Sequence, residues 1–171
     1  TEINFNATNM ADCTATSDLF GAAGKESTGI TVNVGANVTR IPDYLFYPYG
    51  GNQHIPNIDS INFAHGSECT EVGDFAFYNC QPLTSLNLPD SLETIGESAF
   101  YGATSLLSLT IPESVQTIGQ YAFGMASALE NLQYNAINAN DVPLTIDMGN
   151  ENEFPSPFFF AGGEILNSNM N

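Results

Sequence analysis

LTSLNLPDSLETIGESAFYGATS occupies residues 83–105, and LLSLTIPESVQTIGQYAFGMASA follows at once over residues 106–128. At a shift of 23 the two agree at 11 of 23 positions, and the mismatches are mostly conservative, such as Asp90 with Glu113 and Leu88 with Ile111. A segment repeated without a gap is the mark of a structural unit that stacks on copies of itself. Its landmarks recur outside the pair. IGESAF (residues 95–100) returns as IGQYAF (118–123), as VGDFAF (72–77) and, more loosely, as IPDYLF (41–46). The head recurs as IDSINF from Ile58, LENLQY from Leu129 and, in degenerate form, ITVNV from Ile30.

Within each head the apolar residues stand at positions 1, 4 and 6, and the last two fall on one face of an extended strand. A half-buried strand is therefore expected there. Pro89 and Pro112 end it, because proline lacks the donor that a central strand needs. The AF segment that follows suits a single 3-10 or helical turn. Its Phe77, Phe100 or Phe123 is expected to fill the core between coils. One unit of 23 residues cannot bury that face alone, and stacking does it.

The period also breaks. From Ile41 to Val72 the step is 31, which places eight added residues in YPYGGNQHIPN (residues 47–57), a loop by its Gly and Pro content. A smaller insertion, AHGSEC, displaces the turn between Phe63 and Glu71. A longer period of 129 relates NFNATNMADC, from Asn4, to QYNAINANDV, from Gln133. We expect one whole module followed by the opening of a second, in a longer protein of which Thr1 is a processed or trimmed edge. The expected organisation is a cap-like degenerate segment at 1–29 and repeats over 30–134 (about 30–57, 58–82, 83–105 and 106–128, with another starting at 129). An inter-module segment and the partial start of a second module follow at 135–171.

These residues resemble the BspA-like leucine-rich repeat family, whose unit runs L-x-x-L-x-I-P-x-S-V-x-x-I-G-x-x-A-F-x-x-C-x-x-L. The resemblance is clearest over about 58–134. It implies a leucine-rich-repeat solenoid, a curved right-handed coil with a parallel β-sheet on one face and short 3-10 or helical turns or loops on the other. It also implies a secreted or surface protein of host-associated bacteria or mucosal protozoa, often tied to adhesion or display. The family's interior cysteine is Cys80 here, with Ala103 and Ala126 as its equivalents, so the resemblance makes Cys80 a core residue.

Composition narrows the partners. The 171 residues carry a net charge of -17, with Lys25 and Arg40 the permanent cations. Phosphate-led nucleic-acid binding is disfavoured, as is an anionic membrane surface, and the expected partner is neutral or basic. No apolar run approaches the ~18 residues of a membrane span, so no membrane insertion is expected from this segment.

Repeat proteins bind along faces built from equivalent positions of successive coils. The outward strand positions here are Thr31 and Asn33, Ser60 and Asn62, Ser85 and Asn87, Ser108 and Thr110, then Asn131 and Gln133. From Ser60 onward these are the candidate ligand-binding residues, either a polar platform for an extracellular protein or glycan or a coat that keeps the sheet soluble. A second candidate is the 47–57 loop with Tyr47, Tyr49 and His54, although Tyr44 beside it aligns with Phe75 and Tyr121 as a repeat position.

Catalytic chemistry finds little support. His65 stands four residues before Cys69 in a turn insertion with no third group evident, and acid pairs such as Asp90 with Glu93 belong to solvated turns. Cys13, Cys69 and Cys80 are an odd number without metal-ligand spacing. DMGNENE, from Asp147, holds calcium-type ligands without an ordered spacing, which also suits an acidic linker. The N-x-[ST] triplets at Asn6 and Asn37 would bear on a eukaryotic secretory pathway. No catalytic residue, metal or cofactor is expected. Two functions remain open, an adhesive interaction module at the cell surface and a structural spacer with no ligand of its own.

Overall fold

The structure is a computed structural model that describes residues 1–16, 19–20, 22–24, 28–48 and 55–136. Two kinds of strand alternate along the chain: β1 (Glu2–Phe5), β2 (Ile30–Val34), β3 (Arg40–Ile41), β4 (Ile58–Phe63), β5 (Glu71–Val72), β6 (Ser85–Asn87), β7 (Thr94–Ile95), β8 (Ser108–Ile111), β9 (Thr117–Ile118) and β10 (Asn131–Tyr134). Every pairing among them is parallel and joins successive coils. The result is a solenoid of stacked turns, as the repeat predicts.

The head strands form one face, in the order β1-β2-β4-β6 with β8-β10 beyond them. In β2 and β8 burial alternates as the pattern requires: Ile30, Val32 and Val34 are buried with Thr31 and Asn33 half-buried, and Leu109 and Ile111 are buried with Ser108 and Thr110 exposed. Residues 1–29, expected to act as a cap, contribute β1 to this sheet in register, Glu2 opposite Thr31 and Asn4 opposite Asn33. β10 lies 129 residues after β1, strand for strand, at the longer period of the sequence.

The short strands build a second sheet, β3-β5-β7-β9, that the sequence does not announce. Each ends at an Ile or Val, and after Val72, Ile95 and Ile118 the glycine that follows explains the motif, while Pro42 follows Ile41. A Cβ on Gly73 would lie 2.7 Å from the Asp43 backbone nitrogen, one on Gly96 2.6 Å from that of Asp74, and one on Gly119 2.6 Å from the Gly96 carbonyl carbon. The coils touch backbone to backbone there, so a side chain has no room.

The AF segments are runs of hydrogen-bonded turns in place of a helical turn. Phe75 and Asn79 have φ of 54° and 62°, Ser98 and Gly102 51° and 78°, and Tyr121 and Met125 55° and 59°. Left-handed residues four apart break any helix and swing alternate amides to one side. The N–H groups of Phe75, Phe77 and Asn79 donate to the carbonyls of Glu97, Ala99 and Tyr101; those of Ser98, Phe100 and Gly102 donate to Gln120, Ala122 and Gly124. These bonds run toward the following coil, whereas those of the second sheet, such as Thr94 N–H to Thr70 O, run back. Inter-coil bonds offset the cost of about 1 kcal/mol per left-handed residue.

Between the faces lies a continuous apolar core. Phe46, Phe77, Phe100 and Phe123 are fully buried and stack with centroids 5.1–5.3 Å apart. Cys80, Ala103 and Ala126 occupy equivalent buried positions behind them. Each coil supplies one layer.

Candidate functional site

The parallel register aligns the outward positions of the head strands into two columns, Thr31–Ser60–Ser85 and Asn33–Asn62–Asn87, continued across the next coils by Ser108–Asn131 and Thr110–Gln133. Glu2 and Asn4 extend them on β1, two positions that sequence reasoning missed although INF in residues 3–5 repeats the INF of 61–63.

The columns differ along their length. Toward the N-terminal end the side chains bond to one another: the Asn33 amide donates to Asn4 Oδ1 at 3.1 Å and to Glu2 Oε2 at 3.2 Å, the Asn62 amide to Asn33 Oδ1 at 3.5 Å, and the Ser60 hydroxyl to Thr31 Oγ1 at 2.9 Å. Ser60 and Asn62 are half-buried in this network. Ser85, Asn87, Ser108, Thr110, Asn131 and Gln133 are exposed. Among the described residues, Gln133 alone of these six has a side-chain hydrogen bond, to Asn135 at 3.3 Å. The candidate residues thus split into a self-satisfied pair and a set with hydrogen-bonding capacity turned to solvent.

The 47–57 loop candidate divides as well. Tyr47 packs edge-on against Tyr44, at 5.3 Å, and tilted against Tyr78, at 5.2 Å, while Tyr78 stacks on Tyr101 at 5.1 Å. Gly124 closes this column, since a Cβ there would come within 2.8 Å of the Tyr101 ring. Tyr47 is part of a half-buried aromatic seam between coils, as the repeat alignment of Tyr44 suggests. Tyr49 and His54 lie outside the described residues, as do the 147–153 acidic stretch and the expected second module.

The cysteines are core residues. All three are buried and free. Burial pushes the Cys69 thiol up to about 11 and holds the Cys80 thiol far above the ordinary thiol range. A thiol held protonated is a poor nucleophile. Among the described residues no group of three or more His, Cys, Asp or Glu is placed to hold a metal ion, and no helix is long and apolar enough to cross a membrane.

Charge gathers in a ladder on the turn side. Asp12 Oδ1 accepts the Asp43 N–H at 3.1 Å, Asp43 Oδ1 the Asp74 N–H at 2.9 Å, and Asp74 Oδ1 the Glu97 N–H at 2.7 Å. Arg40 binds its N-terminal end, 2.7 Å from Asp12 and 3.0 Å from Glu71. These groups tie coil to coil, so the acids are structural.

The family model described as BspA type leucine rich repeat region matches residues 39–141 in six copies. No curated protein matches the chain. Among solved structures, a leucine rich repeat protein of T. pallidum superposes with a TM-score of 0.55 at 23% identity, covering 77% of this chain and 51% of that one. A leucine rich cell surface protein of Faecalibacterium prausnitzii gives a TM-score of 0.39 at 16% identity, over 78% of this chain and 43% of that one. The chain spans about half the length of the T. pallidum protein, and at that identity the likeness is one of fold.

Proposed function

The chain belongs to the BspA-type leucine-rich repeat family, and from that premise we propose that it is a noncatalytic protein-binding module of a secreted or cell-surface protein. Its partner rests on the C-terminal half of the sheet face, and the contact serves adhesion between the bearing cell and a host or neighbouring surface. One observation carries this reading: the exposed, unspent hydrogen-bonding side chains of Ser85, Asn87, Ser108, Thr110 and Asn131. They stand on strands of the two head sheets, β1-β2-β4-β6 and β8-β10, so no backbone has to be ordered on this side when a partner meets them. Each bond adds about 0.5–1.5 kcal/mol, and several together give a specific contact.

The test is capture of the chain by immobilised extracellular-matrix proteins and glycans, with the variant Asn87→Lys, Thr110→Lys, Gln133→Lys beside it. A single substitution at an exposed strand position usually changes stability by no more than about 0.5 kcal/mol, and a melting temperature close to the parent's establishes that the triple variant folds. Saturable capture that the variant loses supports the reading. Capture by nothing on the panel favours the spacer, a module that projects other domains; capture that the variant retains places the contact off this face.

A further inference from the structure

β6 and β8 belong to successive coils, yet no ladder joins them; the face sheet ends at β6 and resumes at β8. The two coils stay tied on either side of the gap, by Ser105 N–H to Gln81 O at 3.2 Å and by Gln116 N–H to Glu93 O at 2.8 Å. The opening is therefore confined to the middle of the face. It forms a groove of about 800 Å³. Leu88 and Pro112 give it an apolar wall, and Leu88 is only half-buried where its equivalent one coil later, Ile111, is fully buried. Asn87 and Thr110 line it, and Asp90 and Glu113, at the same position of the two coils, add an exposed carboxylate each. Neither carboxylate is ion-paired among the described residues, where the salt bridges all belong to Arg40. A continuous sheet would join the main chains of β6 and β8, which here form no ladder, and Leu86 of β6 also lines the groove.

We propose that this seam binds an extended basic segment of a protein partner. An Arg or Lys side chain lays its aliphatic stem along Leu88 and Pro112 and sets its cationic end between Asp90 and Glu113, while the segment's amides meet Asn87, Thr110 and the main chain of β6 and β8. The argument for a basic occupant is charge complementarity. The chain carries -17 with two permanent cations, and Arg40 is already held by Asp12 and Glu71. Such a field draws cationic segments toward the groove and repels acidic ones. A neutral glycan would use the amides and hydroxyls but gain nothing from the paired acids. The proposal rests on the sheet-face reading above and names its partner class.

The test titrates the chain with a labelled peptide of alternating arginine and glycine, and with the same peptide carrying citrulline for arginine. Two variants with the same change in charge are compared, Asp90→Asn with Glu113→Gln in the seam and Glu68→Gln with Glu97→Gln away from it. All four positions are exposed, and unchanged melting temperatures establish that both variants fold. The expected result is saturable binding of the arginine peptide, weakened about tenfold by the seam variant, little changed by the other, and weak for citrulline. Equal loss in both variants would overturn the seam in favour of diffuse charge. Absent peptide binding, with protein capture still lost in the Asn87, Thr110 and Gln133 variant, would sink the basic-segment proposal and leave the sheet-face reading standing. Competition by a neutral oligosaccharide but not by the peptide would replace it with a glycan. Failure of peptide binding and of protein capture together would remove both.

Discussion

The rings of Phe77 and Phe100 lie parallel, 5° apart in plane with centroids 5.3 Å apart, and both are fully buried. Each phenylalanine belongs to one coil and covers the face of the next, so the stack couples neighbouring repeats. Phe100 has a ring on both sides, Phe77 and Phe123. Phe100→Ala should cost about 3–5 kcal/mol, since the cavity opens between two coils that cannot close without breaking their backbone bonds. Urea unfolding would measure it, with Phe100→Leu expected to cost less. A loss below about 1 kcal/mol would mean that the coils are stable independently of the stack.

Gly96 and Gly66 separate space from conformation. A Cβ on Gly96 would sit 2.6 Å from the Asp74 backbone nitrogen, whereas one on Gly66 would meet nothing within 4 Å, although Gly66 has φ of 71°. Gly96→Ala should therefore cost about 1–3 kcal/mol by forcing two backbones apart. Gly66→Ala should cost about 1 kcal/mol, from its left-handed backbone alone. Thermal melts of the two variants check the order, and a larger effect at Gly66 would contradict it.

The columns on the face follow from period-2 alternation within a 23-residue repeat, so Ser85 and Ser108 or Phe100 and Phe123 are legible before any coordinates. Other features leave no such trace. Thr94–Ile95 is too short to show alternation, which hides the second sheet. Phe75, Ser98 and Tyr121 adopt positive φ although none is a residue that advertises it, because inter-coil bonds impose the conformation. The seam is hidden for a different reason: SLN in β6 and SLT in β8 read alike, and whether they pair depends on the spacing between coils. The candidate site was thus visible as a row of residues, while its division into bonded and open halves arose only from contacts between coils.

Asp43 offers a test of the acid ladder. Burial raises its carboxyl above the usual range, the Asp74 N–H lowers it, and Asp12 and Asp74 raise it again against the pull of Arg40. A raised folded value means that the native state holds the proton more tightly than the unfolded chain does. The associated stability is present below the ordinary aspartate range and is lost as pH rises through the folded value. Asp43→Asn keeps the Oδ1 that accepts from Asp74 and removes the charge. It should melt slightly higher than the parent at pH 7, by up to about 0.5 kcal/mol, with the difference vanishing near pH 3. A lower melting temperature at pH 7 would show that attraction to Arg40 outweighs burial.

The thiols decide whether cysteine-based nucleophilic chemistry is available to the described fold. Cys13, Cys69 and Cys80 are buried, and burial is the leading cause that raises each thiol. With Cys69 near 11, only about one thiol in a thousand would be ionised at pH 8. Disulfide reagents should find the native chain unreactive on the minute scale and should titrate all three thiols once urea unfolds it. Labelling would then track global unfolding and follow the same destabilisation as the Phe100→Ala variant. A thiol that reacts rapidly in the native state, and whose signal Cys69→Ala removes, would instead mark an activated nucleophile and reopen the enzymatic reading.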